Sequence, residues 1–167
     1  MGTGLRQASC AILLSSCGQL ILQQRDDVPG IVYPGLISLF GGHREPGESP
    51  HLCVQRELAE EIGVQLPLDA LTPFFDFHTR FADAAETDVE ISIYIAAGLR
   101  ADALHVTEGQ LLLLPLAEVG SRYARMTPTT SYALSEFLHV RQLPPKAQQL
   151  DRGALLASAQ AARAAQQ

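Results

Sequence analysis

Two hydrophobic rhythms alternate along this chain, and each predicts a different kind of element. Residues 7–15 and 19–24 are nearly continuous aliphatic runs joined around Ser16-Cys17-Gly18, which predicts a β-hairpin. Arg25 to Gly30 reads as a loop, followed by Tyr33-Pro34-Gly35 and a short apolar piece at 36–40. Residues 50–62 switch to a 3.6-residue period, with Val54, Leu58 and Ile62 on one face and Leu52 and Ala59 at its edge. Strands are predicted again at 71–81 and 89–99, split by a polar turn at 83–88, and at 111–115. Helices are expected at 116–121 and 129–138, and an Ala/Gln-rich helical segment, interrupted by Gly153, at 148–167. Strands mixed with helices predict a layered α/β fold. No repeat or composition break marks a second domain. We therefore expect one domain over 1–145, with 146–167 as its C-terminal helical extension.

The helix at 50–62 carries the most chemistry. Ser49 suits its N-cap, Pro50 its first position, and Gly63 a left-handed C-terminal stop. At about 100° per residue, Glu57, Glu60 and Glu61 gather opposite the apolar face, with Arg56 at their border. Like charges at these i,i+3 and i,i+4 spacings each cost roughly 0.2–0.5 kcal/mol. A divalent cation reverses the sign, because hard carboxylate oxygens are the ligands that Mg²⁺ or Mn²⁺ prefers. The plain alternative is a dense but merely solvated acidic face.

The register around these acids narrows the choice. Gly42, five residues, Glu48, seven residues, then Arg56-Glu57-Leu58-Ala59-Glu60-Glu61-Ile62-Gly63-Val64 resembles the Nudix box, G-x5-E-x7-R-E-U-x-E-E-x-G-U with U aliphatic. Leu22-Gln23-Gln24-Arg25 and Leu39-Phe40-Gly41-Gly42 are also similar to the segments that precede the box in this family of MutT-like hydrolases. Many relatives carry Trp in the run before the box. This chain has Ile37 there and no Trp at all, and Ile is expected to fill the same apolar slot.

The resemblance implies a Nudix-type α/β/α sandwich, with the box as a loop-helix-loop beside a mixed β-sheet. It also implies Mg²⁺-dependent hydrolysis, with Mn²⁺ as a substitute, of the pyrophosphate linkage in a nucleoside diphosphate joined to another group. The substrate classes are nucleoside triphosphates, modified dNTPs and nucleotide sugars. The expected metal ligands are Glu57 and Glu61, with Glu60 sharing or orienting, the Gly42 carbonyl, and Glu48 through water or as a loop anchor. Arg56 is expected to pair with a carboxylate and hold the helix to the loop. Two residues compete as general base: Glu61, and Glu108 in Val106-Thr107-Glu108-Gly109-Gln110. Arg25 and Tyr33 are candidates for the pocket rim. Gly41, Gly42 and Gly47 allow tight turns near phosphate, and Gly41, His43 and Glu45 in the same loop are further candidates for contacting substrate. Phe74, Phe75, Phe77 and Tyr94 are expected in the core ahead of any stacking role.

Composition excludes some partners. The chain has 167 residues and 47% hydrophobic positions, enough for a core without staples. Its net charge of −6, with no basic run, argues against broad nucleic-acid or anionic-membrane binding. A small nucleotide stays compatible, since a bound cation supplies local positive charge. Cys10, Cys17 and Cys53 form no CxxC pair and read as reduced thiols of a cytoplasmic protein. No apolar run is long enough to span a membrane, and no charged leader precedes a cleavable apolar core. The resemblance leaves the oligomeric state open, with a homodimer as one candidate because relatives are often dimers. A catalytically silent nucleotide sensor is the alternative function, and it predicts binding without turnover.

Overall fold

The computed structural model describes residues 5–80 and 88–142. The expected extension at 146–167 and most of the turn at 83–88 lie outside the described residues.

Seven strands form one mixed sheet: β1 (Arg6–Ser15), β2 (Leu20–Gln24), β3 (Ile37–Ser38), β4 (Phe40–His43), β5 (Thr72–Arg80), β6 (Asp88–Leu99) and β7 (Gln110–Leu114). Among the described residues, three α-helices accompany them: α1 (Pro50–Ile62), α2 (Val119–Arg122) and α3 (Pro128–Gln142). The main strand order is β3-β2-β1-β6-β5, with β7 on β2 and β4 on β1. Among the described strand pairs, β1–β6 is parallel and the others run antiparallel. Among the described residues, no helix is long and apolar enough to cross a membrane.

β1 explains the layering. Ala8, Ile12 and Leu14 point into one core with Ala133, Leu134 and Phe137 of α3 and Val119 of α2. Ala11 and Leu13 point the other way, onto Val54, Leu58 and Ile62 of α1. Alternating side chains thus bury both faces of the strand, which is why its sequence is apolar almost throughout. The result is the expected α/β/α sandwich. Phe74, Phe75 and Tyr94 are buried, and Phe77 packs on Phe75 and Tyr132, so these aromatics serve the core. Ile37 is buried as well, filling an apolar slot.

α1 forms at the expected bounds because its signals are local. The Ser49 hydroxyl accepts from the Leu52 N–H at 3.2 Å, and Gly63 closes the helix at φ 67°. The 36–40 piece instead breaks into β3 and β4 at Leu39. The Leu39 N–H is donated to Thr130 Oγ1 at 2.9 Å, so a side chain of α3 takes the place of a strand partner. α3 also runs four residues past the expected end, because Val140 in its last turn is buried in the core. The 116–121 segment begins as a 3₁₀ turn, Leu116–Glu118, before the short α2.

Candidate active site

Gly41 and Gly42 lie on β4, where they pair with Cys10 and Ser9 of β1. α1 packs across this strand so closely that a Cβ on Gly42 would lie 2.6 Å from the Glu57 carboxylate. A side chain there would displace the acid, so this position needs glycine for close approach. One helical turn later, Glu61 Oε2 accepts from the Gly41 N–H at 2.8 Å. The family-like glycine turn and the acidic helix are therefore one unit, with the backbone of one setting the carboxylates of the other.

Glu57 and Glu61 open into a cleft of about 500 Å³. Arg25, Tyr33, Gly41, Gly42, His43 and Glu108 line the same cleft, so eight of the residues expected at the site meet there. Glu45, Glu48, Arg56 and Glu60 do not line it. Helix geometry accounts for Glu60: it projects about 60° from Glu57 on the side away from Glu61. Its side chain is 60% exposed and reaches Arg56 at 3.2 Å.

Arg56 is the fastener of the loop. Its Nε donates to Glu48 Oε1 at 2.9 Å, its Nη2 to Glu48 Oε2 at 3.0 Å and to the His43 carbonyl at 3.1 Å. Its Nη1 donates to Glu57 Oε1 at 2.8 Å. Glu48 Oε2 also accepts from the Glu45 N–H at 3.0 Å, so both oxygens of Glu48 are spent on structure. The exposed Glu45 contributes that N–H and the carbonyl that closes the turn onto the Glu48 N–H. The Arg56 guanidinium holds the Glu48 carboxyl down at about pKa 2, and Glu48 in turn pushes the Arg56 pKa up.

Glu61 is the electrostatic opposite. Burial pushes its carboxyl up to about pKa 7, and the charges of Glu57 and Glu108 push the same way. The Gly41 N–H and Arg25 pull against this without cancelling it. Carboxylates that repel one another around a shared cleft form a hard-oxygen donor set short of positive charge, which suits Mg²⁺ or Mn²⁺. Among the described residues, no three His, Cys, Asp or Glu side chains already stand close enough to close on one ion. The fit therefore rests on donor chemistry and charge. The Gly42 carbonyl accepts a weak 3.6 Å bond from Cys53 Sγ.

The rest of the cleft was not legible as a site. Ser38, Leu39, Ile91, Thr127 and Thr130 wall it, together with Val32 from the loop after β2. The one sequence signal was the Thr127-Pro128-Thr129-Thr130 run, a helix-start pattern. Thr127 Oγ1 indeed accepts from the Thr130 N–H at 3.3 Å. Burial pushes the Cys10 thiol on the cleft wall up to about pKa 12, which leaves it a poor nucleophile.

Comparison with known proteins agrees with this architecture. Over 88 residues the chain is 33% identical to proteins named nucleoside triphosphatase NudI from several Escherichia coli strains. That alignment spans 50% of this chain and 61% of theirs. The MutT protein of Methanosarcina mazei Go1 superposes with a TM-score of 0.72 at 16% identity, covering 86% of this chain and 99% of that one. The NUDIX domain of Shewanella oneidensis NrtR, solved with ADP ribose, superposes with a TM-score of 0.65 at 20% identity, covering 81% and 88%. At such identities these two show the fold. The NUDIX domain model matches residues 4–133. Because that match runs from β1 into α3, well beyond the acidic helix, the chain belongs to the NUDIX domain family.

Proposed function

We propose that this cleft hydrolyses the pyrophosphate linkage of a nucleoside diphosphate joined to another group, with Mg²⁺ or Mn²⁺ as cofactor. Nucleoside triphosphates, modified dNTPs and nucleotide sugars are the substrate classes. The observation that carries this reading is the convergence of Glu57, Glu61 and Glu108 on one cleft that also holds Arg25. The Escherichia coli relatives are named nucleoside triphosphatases, and the Shewanella oneidensis domain was solved with ADP ribose, which supports a nucleotide substrate. Its place would be the cytoplasm, where such nucleotides are made and used.

Glu57 and Glu61, with the Gly42 carbonyl, would hold the metal. When bound it would neutralise phosphate charge and acidify the attacking water. The protein's own groups supply the rest. Arg25 has a buried Nε with no hydrogen-bond partner among the described residues, a donor suited to a phosphate oxygen. Its guanidinium would orient the diphosphate and balance charge as water attacks phosphorus. Glu61 or Glu108 would take the water's proton as the new P–O bond forms and the bridging P–O bond breaks. Burial and the neighbouring acids push the Glu61 carboxyl up, the direction that favours accepting a proton. Tyr33 and Val32 would wall the nucleoside end and keep water out. Arg56 and Glu48 would act at one remove, by fixing the loop that follows Gly42 and His43. Glu60 would tune the same cluster from outside the cleft, and Glu45 would shape the turn.

The test is phosphate and pyrophosphate release from a nucleotide panel, with and without Mg²⁺, for the wild type and Glu61→Gln. Metal-dependent release that nearly vanishes in the variant is the expected result. Nucleotide binding without turnover in the wild type would instead make the domain a silent sensor.

A further inference from the structure

We propose that Gln23, backed by Ser38, is a positioning residue that holds Glu108 in its working place beside Glu61. This rests on the hydrolytic reading above, taken with Glu108 rather than Glu61 as the group that accepts the water's proton. Gln23 lies on β2 and is only 3% exposed. A primary amide in such a place is costly unless both its ends are bonded. Both are. The Nε2–H donates to the Glu108 carbonyl at 3.0 Å, and Oε1 accepts from the buried Ser38 hydroxyl at 2.9 Å. The β2 backbone is independently paired, Gln23 with Ser38 of β3 and with Leu111 of β7. The side chain is thus not needed to complete the sheet. Its bonds serve the loop.

That loop is fastened on both sides of Glu108. Before it, the Thr107 N–H donates to the Glu61 carbonyl at 2.9 Å and the His105 N–H to the Ile62 carbonyl at 3.0 Å. These bonds use carbonyls at the end of α1 that have no partner within the helix. After it, the Gly109 N–H reaches Asp26 Oδ2 at 3.3 Å. Gly109 has φ 66°, and a Cβ there would run into the Gln24 carbonyl oxygen and lie 3.2 Å from Gln23 Cγ. Gln23 fills the gap between these two anchors and grips the peptide of Glu108 itself. An apolar residue of the same size would pack as well but leave the Glu108 carbonyl and Ser38 hydroxyl without these partners. The geometry therefore makes Glu108 a fixed member of the cleft, held in register with the helix that carries Glu61.

Gln23→Met keeps the shape and removes both bonds. We expect kcat to fall about 10-fold while KM stays within about twofold, the signature of misplaced chemistry with binding intact. Amide exchange at Glu108 and Gly109 should rise about 10-fold in the same variant, with exchange in β1 unchanged. In a Glu108→Gln background, adding Gln23→Met should cost nothing further in kcat, because the group being positioned is gone. Ser38→Ala, a milder change suited to a case where Gln23→Met folds poorly, should lower kcat about two- to threefold and raise the same two amide exchange rates. An equal loss in both backgrounds, or unchanged exchange at residues 108 and 109, overturns the proposal. Activity lost in Glu61→Gln but retained in Glu108→Gln would overturn it too, while leaving the hydrolase reading intact. Nucleotide binding without turnover in the wild type would overturn the hydrolase reading instead.

Discussion

Glu48 and Glu61 belong to one motif, yet the fold treats them as opposites. Glu48 meets a guanidinium and a backbone N–H with both oxygens and is held at about pKa 2. Glu61 is half-buried among other acids and pushed up to about pKa 7. The first is a strut whose charge is fully compensated. The second carries a charge the folded protein disfavours, which leaves it ready for a cation or a proton. Thirteen residues of spacing separate a structural acid from a chemical one, and only their neighbours tell them apart.

The sharpest way to break this contrast is to neutralise acids in turn and read turnover. Glu61→Gln should lower kcat by about 10²–10⁴-fold, the range for losing a central acid–base or ligand group. Glu60→Gln, which alters only an exposed pair, should change it by less than about twofold. Similar losses in both would mean that the exposed and the cleft-lining acid of α1 act alike, and the distinction would fail.

A second test removes the strut's partner. Arg56→Ala strips Glu48, Glu57 and Glu60 of their common cation and should cost about 2–3 kcal/mol, read as a lower urea midpoint with unchanged slope. A cost under about 0.5 kcal/mol would show the pairs to be surface ornaments.

The smallest effect has the least intuitive sign. Without metal, Glu61→Gln should stabilise the protein by about 1–2 kcal/mol at pH 8, allowing for water in the cleft. Below the ordinary glutamate value of 4.5 the carboxyl is protonated whether the chain is folded or not, so the variant gains nothing there. As pH rises from 4.5 through about 7, the unfolded chain ionises freely while the folded one resists, so wild-type stability falls and the variant's advantage grows. Thermal melts in a chelator at pH 4 and pH 8 measure it. An equal difference at both values would remove Glu61 as the source.

What the sequence could disclose follows from how far each determinant reaches. The bounds of α1 were legible because Ser49, Pro50 and Gly63 act on backbone within one turn of themselves. The break at Leu39 was not, since its cause is Thr130, 91 residues away. The acids of the box were legible as a group. The period placed three of them on one side, but the cleft admits Glu57 and Glu61 and leaves Glu60 outside, a choice made by how β4 docks. The particular bonds of Gln23 and Thr130 were not legible, because a polar residue in an apolar strand or at a helix start has many uses. Only the fold reveals which one applies.

The bond between Leu39 and Thr130 also bears on how much of the gene is needed to keep the cleft intact. The recognisable motif ends at Val64, and a designer trimming from the far end would be tempted to stop at Arg125. Such a fragment would strand an amide in the protein's interior and leave one side of the cleft open to solvent. The shortest useful version must therefore keep the opening turn of α3, a requirement no inspection of the motif would suggest.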